Sequence, residues 1–288
     1  MRKQLRPLLN QLRRVNKLPM LERFIAARTQ GKRLDNLWVK LLPPLESYQR
    51  GSIREVERNG IRYRLDISDY IEYVIYFGLE AEPKEALYGS VKNGMQVFDI
   101  GTNMGETLLN FARINKKGNN YGFEPVPFLF EKAKANLALN AFQNVHLNNL
   151  AVSNTAGTLY FDIPANRNFG SISMSDVKTE TSKAVRAITF DEFVAEEQIE
   201  AVDFIKIDVE GFECKVLEGA DAAITRWKPV LFIEVVDAYL RKNGNTAEQL
   251  ISLIKAKGYK VYDAESLEEI KEPGNANNLR LDILCKPN

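Results

Sequence analysis

From residue 95 onward, short apolar runs alternate with segments of helical periodicity, and this alternation limits the fold more than any other feature of the chain. Apolar runs of about four to eight residues bounded by polar links are typical of buried strands. Strand–helix units that repeat with short links predict an α/β protein with a parallel sheet covered by helices on both faces. The predicted strands of this part lie at 95–100, 120–124, 144–152, 158–163, 185–189, 202–210, 229–236, 259–263 and 279–285.

Composition narrows the class of protein further. The 288 residues are 45% hydrophobic and 27% charged, which is ordinary for one large or two small globular domains. The two cysteines, Cys214 and Cys285, form no CxxC pair, and His146 is the single histidine. These counts exclude disulfide frameworks, cysteine-based zinc sites and multi-histidine metal sites. No apolar run approaches the roughly 18 residues of a membrane span, and the amino terminus lacks a secretory pattern, so we predict a cytoplasmic protein.

Charge is unevenly distributed along the chain. Residues 1–50 carry 12 Lys and Arg against 3 Asp and Glu, a net charge of +9, whereas the other 238 residues carry 27 against 35, a net charge of −8. Leucines between Leu5 and Leu18 recur at helical spacing, with basic side chains largely on the other side. We therefore predict a basic helical extension over 1–50. It either packs on the body or on a second subunit, or contacts the inner face of a membrane peripherally.

A lead-in segment over 51–90 is predicted to connect this extension to the alternating region, which forms a third part over 91–288. Asn59-Gly60 lies between two short runs, and an Asn-Gly pair is the strongest short signal for a hairpin. Apolar and charged residues alternate over 61–67, so the second strand of the hairpin is expected to bury one face. Residues 69–87 are expected to form helical pieces.

The segment VFDIGTNMGET (97–107) is a buried strand followed by a turn and the start of a helix. Glycine at 101 allows a tight turn and the close approach of a ligand. The pattern DxGxNxG, formed by Asp99, Gly101, Asn103 and Gly105, differs from the GxGxxG fingerprint of dinucleotide-binding folds. A carboxylate at 99 is unfavourable beside a diphosphate but suits a cationic or zwitterionic ligand.

Glu124 ends the next predicted strand, just before Pro125. An acid at this place can accept hydrogen bonds from both hydroxyls of a ribose, as the acid after a dinucleotide fingerprint does. The alternative is an acid that only stabilises the start of the next helix through the helix dipole.

These motifs are accompanied by FEPVP (123–127), NLALNAFQNVHLNNLAVSNTAG (136–157), IKIDVEGFECKVLEGA (205–220) and LFIEV (231–235), in that order. In this set the sequence resembles the FkbM family of S-adenosylmethionine (SAM)-dependent methyltransferases over about residues 60–285. The resemblance implies a Rossmann-like class I methyltransferase fold with a mostly parallel seven-stranded sheet and an antiparallel last strand. It also implies methyl transfer from SAM to a hydroxyl of a sugar, a glycolipid or a natural product.

The resemblance further implies which residues hold the cofactor. The turn after the first strand is expected around the methionine part of SAM, Glu124 at the ribose, Asn149 to Ala151 against the adenine, and Asp208 at the methionine amine or the acceptor. Thr102 stands where the family commonly has alanine. The predicted cofactor-binding set is Asp99, Gly101, Thr102, Asn103, Gly105, Glu106, Thr107, Glu124, Pro125, Asn149, Leu150, Ala151 and Asp208.

Three charged residues recur at period two, Lys206, Asp208 and Glu210, and we predict that they are catalytic. Period two places them on one side of a strand, where buried charges require partners or a ligand. Asp208 and Glu210 are candidates for the general base and for ligand contact, with Lys206 paired to Asp99 or Glu234. The alternative is an internal ion network. We predict no metal site, although Mg²⁺ held by Asp208, Glu234 and Asp237 stays open.

The polar stretch 164–183 has no periodicity and is the predicted acceptor-binding segment, because long unstructured loops are often functional. Its predicted substrate contacts are Asn166, Arg167, Asn168 and Phe169.

Other functions remain in competition at this point. RNA is an alternative acceptor because of the basic extension, but the predicted catalytic part is net acidic. We therefore expect a small-molecule or glycan partner and no nucleic acid. An NAD-dependent oxidoreductase is disfavoured by the turn pattern. A catalytically silent SAM-binding module is the last alternative. His146 lies in the middle of a strand and Cys214 has no histidine beside it, so we predict that both are structural.

Overall fold

The structure is a computed structural model, and it describes residues 13–33, 35–80, 84–163, 172–271 and 279–288. The chain divides into two compact units. The first comprises residues 1–83 with 164–170, and the second comprises 84–163 with 171–288.

The first unit combines two helices with short strands. A hairpin turns at Asn59 and Gly60, whose φ angles are 53° and 77°, so the predicted Asn-Gly hairpin is confirmed. Asp69 caps the second helix by accepting hydrogen bonds from two amides of its first turn, and Gly78 ends that helix in the left-handed region. The elements are α1 (Pro19–Thr29), β1 (Lys32–Arg33), β2 (Ile53–Arg58), β3 (Ile61–Asp66), α2 (Tyr70–Phe77) and β4 (Leu79–Glu80).

A buried carboxylate, that of Glu22, connects the elements of this unit. It forms an ion pair with Arg54 at 2.6 Å and accepts hydrogen bonds from the hydroxyls of Tyr48 at 2.9 Å and Tyr76 at 3.2 Å. Because each oxygen has a partner, the charge can be buried between α1, β2 and α2.

The second unit is built on a seven-stranded sheet in which one strand, β15, runs antiparallel to the other six. Its order is β14-β15-β13-β12-β5-β6-β7. The predicted mostly parallel sheet with an antiparallel last strand is confirmed. The strands are β5 (Val97–Ile100), β6 (Asn120–Phe123), β7 (Val145–Asn148), β12 (Phe204–Ile207), β13 (Val230–Val236), β14 (Tyr259–Asp263) and β15 (Arg280–Pro287).

Helices cover this sheet and bury its apolar side chains. Every residue of β5 and β12 is buried, and these strands are apolar except for one charged residue each, Asp99 and Lys206. The helices of this unit are α3 (Glu85–Ser90), α4 (Glu106–Ile114), α5 (Pro127–Ala138), α6 (Phe190–Glu196), α7 (Glu213–Gly219), α8 (Asp221–Trp227), α9 (Asp237–Lys242) and α10 (Ala247–Ala256).

A second, smaller sheet departs from the sequence-based expectation. The predicted single strand 144–152 is two strands, because β7 ends at Asn148 and β8 (Ala151–Val152) pairs with a different sheet. Asn149 at the break donates its side-chain amide to the carbonyl oxygens of Glu124 and Pro125, which draws the chain away from the main sheet. This four-stranded sheet has the order β10-β9-β11-β8, with β9 (Gly157–Phe161), β10 (Met174–Ser175) and β11 (Lys183–Ile188).

Candidate active site

The candidate site lies where the strand order of the main sheet reverses. From β5 the sheet continues through β6 and β7 on one side, and through β12 and β13 on the other. In open parallel sheets, ligands bind in the crevice beyond the carboxyl ends of the strands at such a point. The residues that follow β5, β6, β12 and β13 therefore form the candidate site.

The turn after β5 is shaped by contacts inside the protein. Gly101 has a φ of 88°, and a Cβ there would overlap the carbonyl oxygen of Asp208. The amides of Gly101 and Thr102 both donate to the carbonyl oxygen of Phe123 at 3.0 Å. Asn103 has a φ of 52°, and Gly105 begins α4 with a φ of 94°. Glycine at 101 is thus required by the backbone of Asp208, which the sequence could not reveal.

Glu124 connects this turn to the one after β6. One carboxylate oxygen accepts from the amide of Asn103 and the other from the amide of Val126, both at 2.8 Å. Burial raises the pKa of Glu124 to about 7, against the lowering effect of these two hydrogen bonds. Each oxygen keeps a second lone pair for a ligand, so a ribose contact is compatible with the geometry and stays a prediction.

The predicted adenine-binding residues lie beside Glu124. The side-chain amide of Asn149 donates to the carbonyl oxygen of Glu124 at 2.8 Å and to that of Pro125 at 3.0 Å. Leu150 packs against the core and Ala151 is buried.

Two other predicted cofactor residues, Glu106 and Thr107, lie in the first turn of α4. The Glu106 carboxylate pairs with Lys84 at 2.7 Å and accepts from the hydroxyl of Tyr88 at 3.0 Å. Burial would raise the pKa of Glu106, but the Lys84 ammonium and these hydrogen bonds outweigh it and the pKa is lowered. The Thr107 hydroxyl lies 3.4 Å from the same carboxylate. Sequence reasoning missed Lys84 and Tyr88, because they precede β5.

A buried lysine forms the centre of the charged part of the site. The Lys206 ammonium donates to the carbonyl oxygen of Gly101 at 2.9 Å, and lies 3.1 Å from Asp208 Oδ2 and 3.3 Å from Asp99 Oδ1. Burial would lower the pKa of Lys206, but the two carboxylates raise it, so the lysine is charged. Burial raises the pKa of Asp99 against the opposing effect of Lys206. The predicted pairing of Lys206 with Asp99 is present, while Glu234 instead faces Arg280 at 3.8 Å.

Three carboxylates converge in front of this lysine. One oxygen from each of Asp208, Glu210 and Glu234 lies within 4.8 Å of the others. Burial, followed by repulsion from Asp208 and Glu213, raises the pKa of Glu210 to about 8, and Glu210 Oε2 has no hydrogen-bond partner among the described residues. Burial and then Asp208 and Glu210 raise the pKa of Glu234. Such a group of acids suits a cation or a hydroxyl that gives up a proton.

Lys206, Asp208 and Glu210 lie close together as predicted, but strand alternation is not the reason, and their catalytic role stays a prediction. Strand β12 ends at Ile207, before Asp208, and Glu210 has a φ of 54° in the left-handed region. The turn, and not strand alternation, directs Glu210 toward Asp208. Glu213, missed by sequence reasoning, holds the turn by accepting from the amides of Val209 at 3.3 Å and Gly211 at 3.0 Å. The sequence feature that could have identified Glu213 is the spacing of the acids in DVEGFE (208–213).

Asp237, which the sequence grouped with Asp208 and Glu234 as an alternative metal ligand, has a structural role. It accepts from the amide of Ala247 at 3.0 Å and pairs with Arg241 at 2.7 Å. The predicted acceptor contacts Asn166, Arg167, Asn168 and Phe169 lie outside the described residues.

The two side chains predicted to be structural do not join the cluster. The ring of His146 stacks on Tyr121 with centroids 4.7 Å apart, on the edge strand β7. Cys214 is buried, and burial raises its pKa to about 12.

The part of the chain that contains the candidate site matches a known protein family. Residues 99–261, more than half of the chain, match the model of the methyltransferase FkbM domain. The chain belongs to the FkbM methyltransferase family. The match begins at Asp99 in β5 and ends at Val261 in β14, so it includes all the described residues of the candidate site except Lys84, Tyr88 and Arg280.

Two relatives of this FkbM-family chain are themselves methyltransferases. Methyltransferase sdnD of Sordaria araneosa is 26% identical over 187 residues, which is 51% of this chain and 72% of sdnD. Hexuronic acid methyltransferase AglP of Haloferax volcanii is 29% identical over 131 residues, 44% of this chain and 51% of AglP. The matched region thus spans about half the length of AglP.

Solved structures with similar folds are more distant. The crystal structure of methyltransferase FkbM from Methylobacillus flagellatus KT gives a TM-score of 0.42 at 15% identity, covering 75% of this chain and 52% of that chain. The structure of M. jannaschii TYW2 in complex with AdoMet gives a TM-score of 0.41 at 13% identity, covering 83% and 87%.

Proposed function

We propose that this protein is a SAM-dependent O-methyltransferase that methylates a hydroxyl of a sugar, a glycolipid or a natural product. The observation that carries the proposal is the meeting of three groups at the switch point of the sheet. These are the turn Gly101–Gly105, the acid Glu124 on the neighbouring strand, and the carboxylates around Lys206.

The residues present fit SAM. The ligand has a ribose diol, a sulfonium and an ammonium group, and the site offers the free lone pairs of Glu124 and a group of carboxylates. A diphosphate would meet Asp99, Glu124 and Asp208 at the same place, which disfavours a dinucleotide. In this proposal Glu124 holds the ribose, Asn149 to Ala151 contact the adenine, and Asp208 faces the methionine amine. When bound, SAM supplies an electrophilic methyl group.

Glu210 is proposed as the general base. A sugar hydroxyl is a weak nucleophile until its proton is removed, and a carboxylate with a pKa of about 8 accepts that proton more readily than one with an ordinary pKa. The acceptor oxygen then forms a bond to the methyl carbon as the carbon–sulfur bond breaks, and the proton moves to Glu210. The positive charge of Lys206 lies close to both Asp99 and Asp208 and offsets part of their negative charge, which limits the repulsion that ionised Glu210 would meet.

The acceptor class rests on the relatives and on the acidic site. AglP is a hexuronic acid methyltransferase, and we propose a related glycan or hydroxylated acceptor for this chain. We propose that Asn166, Arg167, Asn168 and Phe169 contact that acceptor.

Calorimetric titration tests the cofactor, and a methylation assay tests the reaction. SAM and S-adenosylhomocysteine are expected to bind in the micromolar range, and Glu124→Gln to weaken both, whereas His146→Gln on the edge strand serves as a matched control. NADH is not expected to bind.

Asp208→Asn and Glu210→Gln are expected to lower turnover on a panel of sugar acceptors more than they lower affinity for SAM. Failure to bind SAM would contradict the proposal, and binding without methylation of any hydroxyl acceptor would indicate a silent SAM-binding module.

A further inference from the structure

Helix α1 buries one face and exposes apolar side chains on the other. The buried face, which packs within the first unit, consists of Glu22, Ile25, Ala26 and Thr29. The other face presents Met20, Leu21 and Phe24 to solvent, and Met20 is 87% exposed. A helix of a globular protein ordinarily exposes polar residues on this face.

The exposed apolar side chains continue onto neighbouring segments of the same unit. The side chain of Asn16 donates to the carbonyl oxygen of Leu41 at 2.7 Å, and the rings of Phe24 and Trp38 meet edge to face at 5.9 Å. These contacts bring residues 15–24 together with residues 37–41, where Leu37 is 71% exposed. We call this set the amino-terminal patch, and it consists of Val15, Leu18, Met20, Leu21, Phe24, Leu37 and Leu41.

The amino-terminal patch lies in a basic part of the chain, and one cation contacts it directly. The guanidinium of Arg28 lies over the rings of both Phe24, at 4.8 Å, and Trp38, at 5.3 Å. Residues 1–50 carry a net charge of +9, and among the acids Glu22 is buried and paired with Arg54. Further exposed cations near the patch in sequence are Arg14, Arg23, Lys32, Arg33 and Lys40.

We propose that the amino-terminal patch binds the surface of an anionic lipid bilayer. Exposed aliphatic and aromatic side chains that enter the boundary between headgroups and acyl chains, ringed by Lys and Arg that attract anionic lipids, are what peripheral membrane binding requires. The part of the chain described by the structure contains no helix long and apolar enough to cross a bilayer, so the contact proposed is peripheral.

The charges favour a bilayer over two other occupants. A second copy packed patch to patch would bring together two 1–50 segments, each with a net charge of +9, and the centres of protein interfaces are depleted in charged residues. Single-stranded nucleic acid is bound by open aromatic faces on which bases stack. Here Arg28 lies over the Phe24 and Trp38 rings, and Met20 and Leu37 offer no ring at all. The proposal involves residues of the first unit alone and does not depend on the proposed function.

Flotation with lipid vesicles tests the proposal on the full chain. The protein is expected to float with vesicles of equal parts phosphatidylcholine and phosphatidylglycerol, to stay at the bottom with phosphatidylcholine alone, and to dissociate as salt is raised. The variant R14Q/R33Q/K40Q is expected to lose about fivefold in partitioning for each cation removed. M20S/L37S is expected to lose roughly tenfold or more, because it removes two exposed apolar anchors.

Matched controls separate this patch from nonspecific effects. K116Q/K117Q/K134Q removes three exposed lysines of the second unit, and V177S/L267S removes two exposed apolar side chains there. Both are expected to float like the wild type, and all variants are expected to keep S-adenosylhomocysteine affinity and unfolding temperature. Equal loss in patch and control variants would overturn the proposal. A patch variant that floats normally but is a monomer where the wild type is a dimer in analytical ultracentrifugation would also overturn it. The same holds if the wild type does not bind vesicles and a patch variant loses RNA binding.

Discussion

Gly101 packs so closely on the carbonyl oxygen of Asp208 that no Cβ fits between them. The two residues follow β5 and β12, the central pair of the sheet, and the Lys206 ammonium lies against both the Gly101 carbonyl and the Asp208 carboxylate. The proposed cofactor turn and the proposed catalytic acids are therefore parts of one packed unit.

Replacing Gly101 with alanine is expected to lower the free energy of unfolding for two reasons, the left-handed φ and the overlap of the new Cβ with Asp208. The overlap is expected to add about 1–3 kcal/mol to the cost of the φ alone. Gly244→Ala is the matched control in the same unit, because its φ is 80° and a Cβ there would meet nothing within 4 Å. Urea denaturation followed by circular dichroism measures both. Equal losses would show that the overlap with Asp208 is relieved at no cost.

Turnover is expected to rise with pH and to level off above about pH 8, because the proposed base Glu210 works only when it is ionised. The profile of kcat against pH should keep this limb with any acceptor whose own hydroxyl does not titrate in that range. In Glu210→Gln the remaining turnover should no longer rise with pH in this range. A wild-type profile that is flat from pH 6 to 9 would remove Glu210 from this role.

Glu210 is also expected to lower the free energy of unfolding at neutral and alkaline pH. Its folded pKa of about 8 lies above the ordinary value of 4.5, so the folded state holds the proton more tightly than the unfolded state does. The free energy of unfolding should therefore fall as pH rises from about 4.5 to 8. Glu210→Gln should remove part of this fall and gain at least about 1 kcal/mol at pH 8. Glu192→Gln, on the surface capping box of α6, should not gain stability in that way.

Lys206→Met is expected to be strongly destabilising, by about 3–5 kcal/mol, because it leaves Asp99 buried without its counter-charge. The double variant Lys206→Met/Asp99→Asn should recover much of this loss, since the orphaned charge is removed with the lysine. A double-mutant cycle in urea measures the coupling. Additive losses would mean that the two groups do not interact.

Chelation of divalent cations is expected to leave turnover unchanged. The Lys206 ammonium already lies 3.1 Å from Asp208, one of the three acids that could surround a metal ion, and supplies the positive charge there. Treatment with EDTA followed by dialysis and a methylation assay measures this. Loss of activity that is restored by Mg²⁺ would show that Asp208, Glu210 and Glu234 form a metal site.

The central strands of the main sheet could be predicted from the sequence because they are short, buried and largely apolar, whereas the edge strand β7 has no buried residue. The split of 144–152 could not, since it depends on Asn149 reaching carbonyl groups some two dozen residues earlier in the chain. The turn around Gly101 could likewise be identified, but the reason for the glycine could not, because Asp208 lies over a hundred residues away. Pairs of residues from different elements, such as Lys84 with Glu106 and Glu210 with Glu234, leave no periodic pattern for sequence reasoning to detect.

The bridge that Glu124 forms between the amides of Asn103 and Val126 has a consequence for efforts to redesign the donor specificity. A substitution meant only to change which nucleoside is accepted would also release two amides and let both loops relax. If Glu124 holds the ribose as proposed, donor choice and loop architecture share a single carboxylate, and a variant at Glu124 alters both.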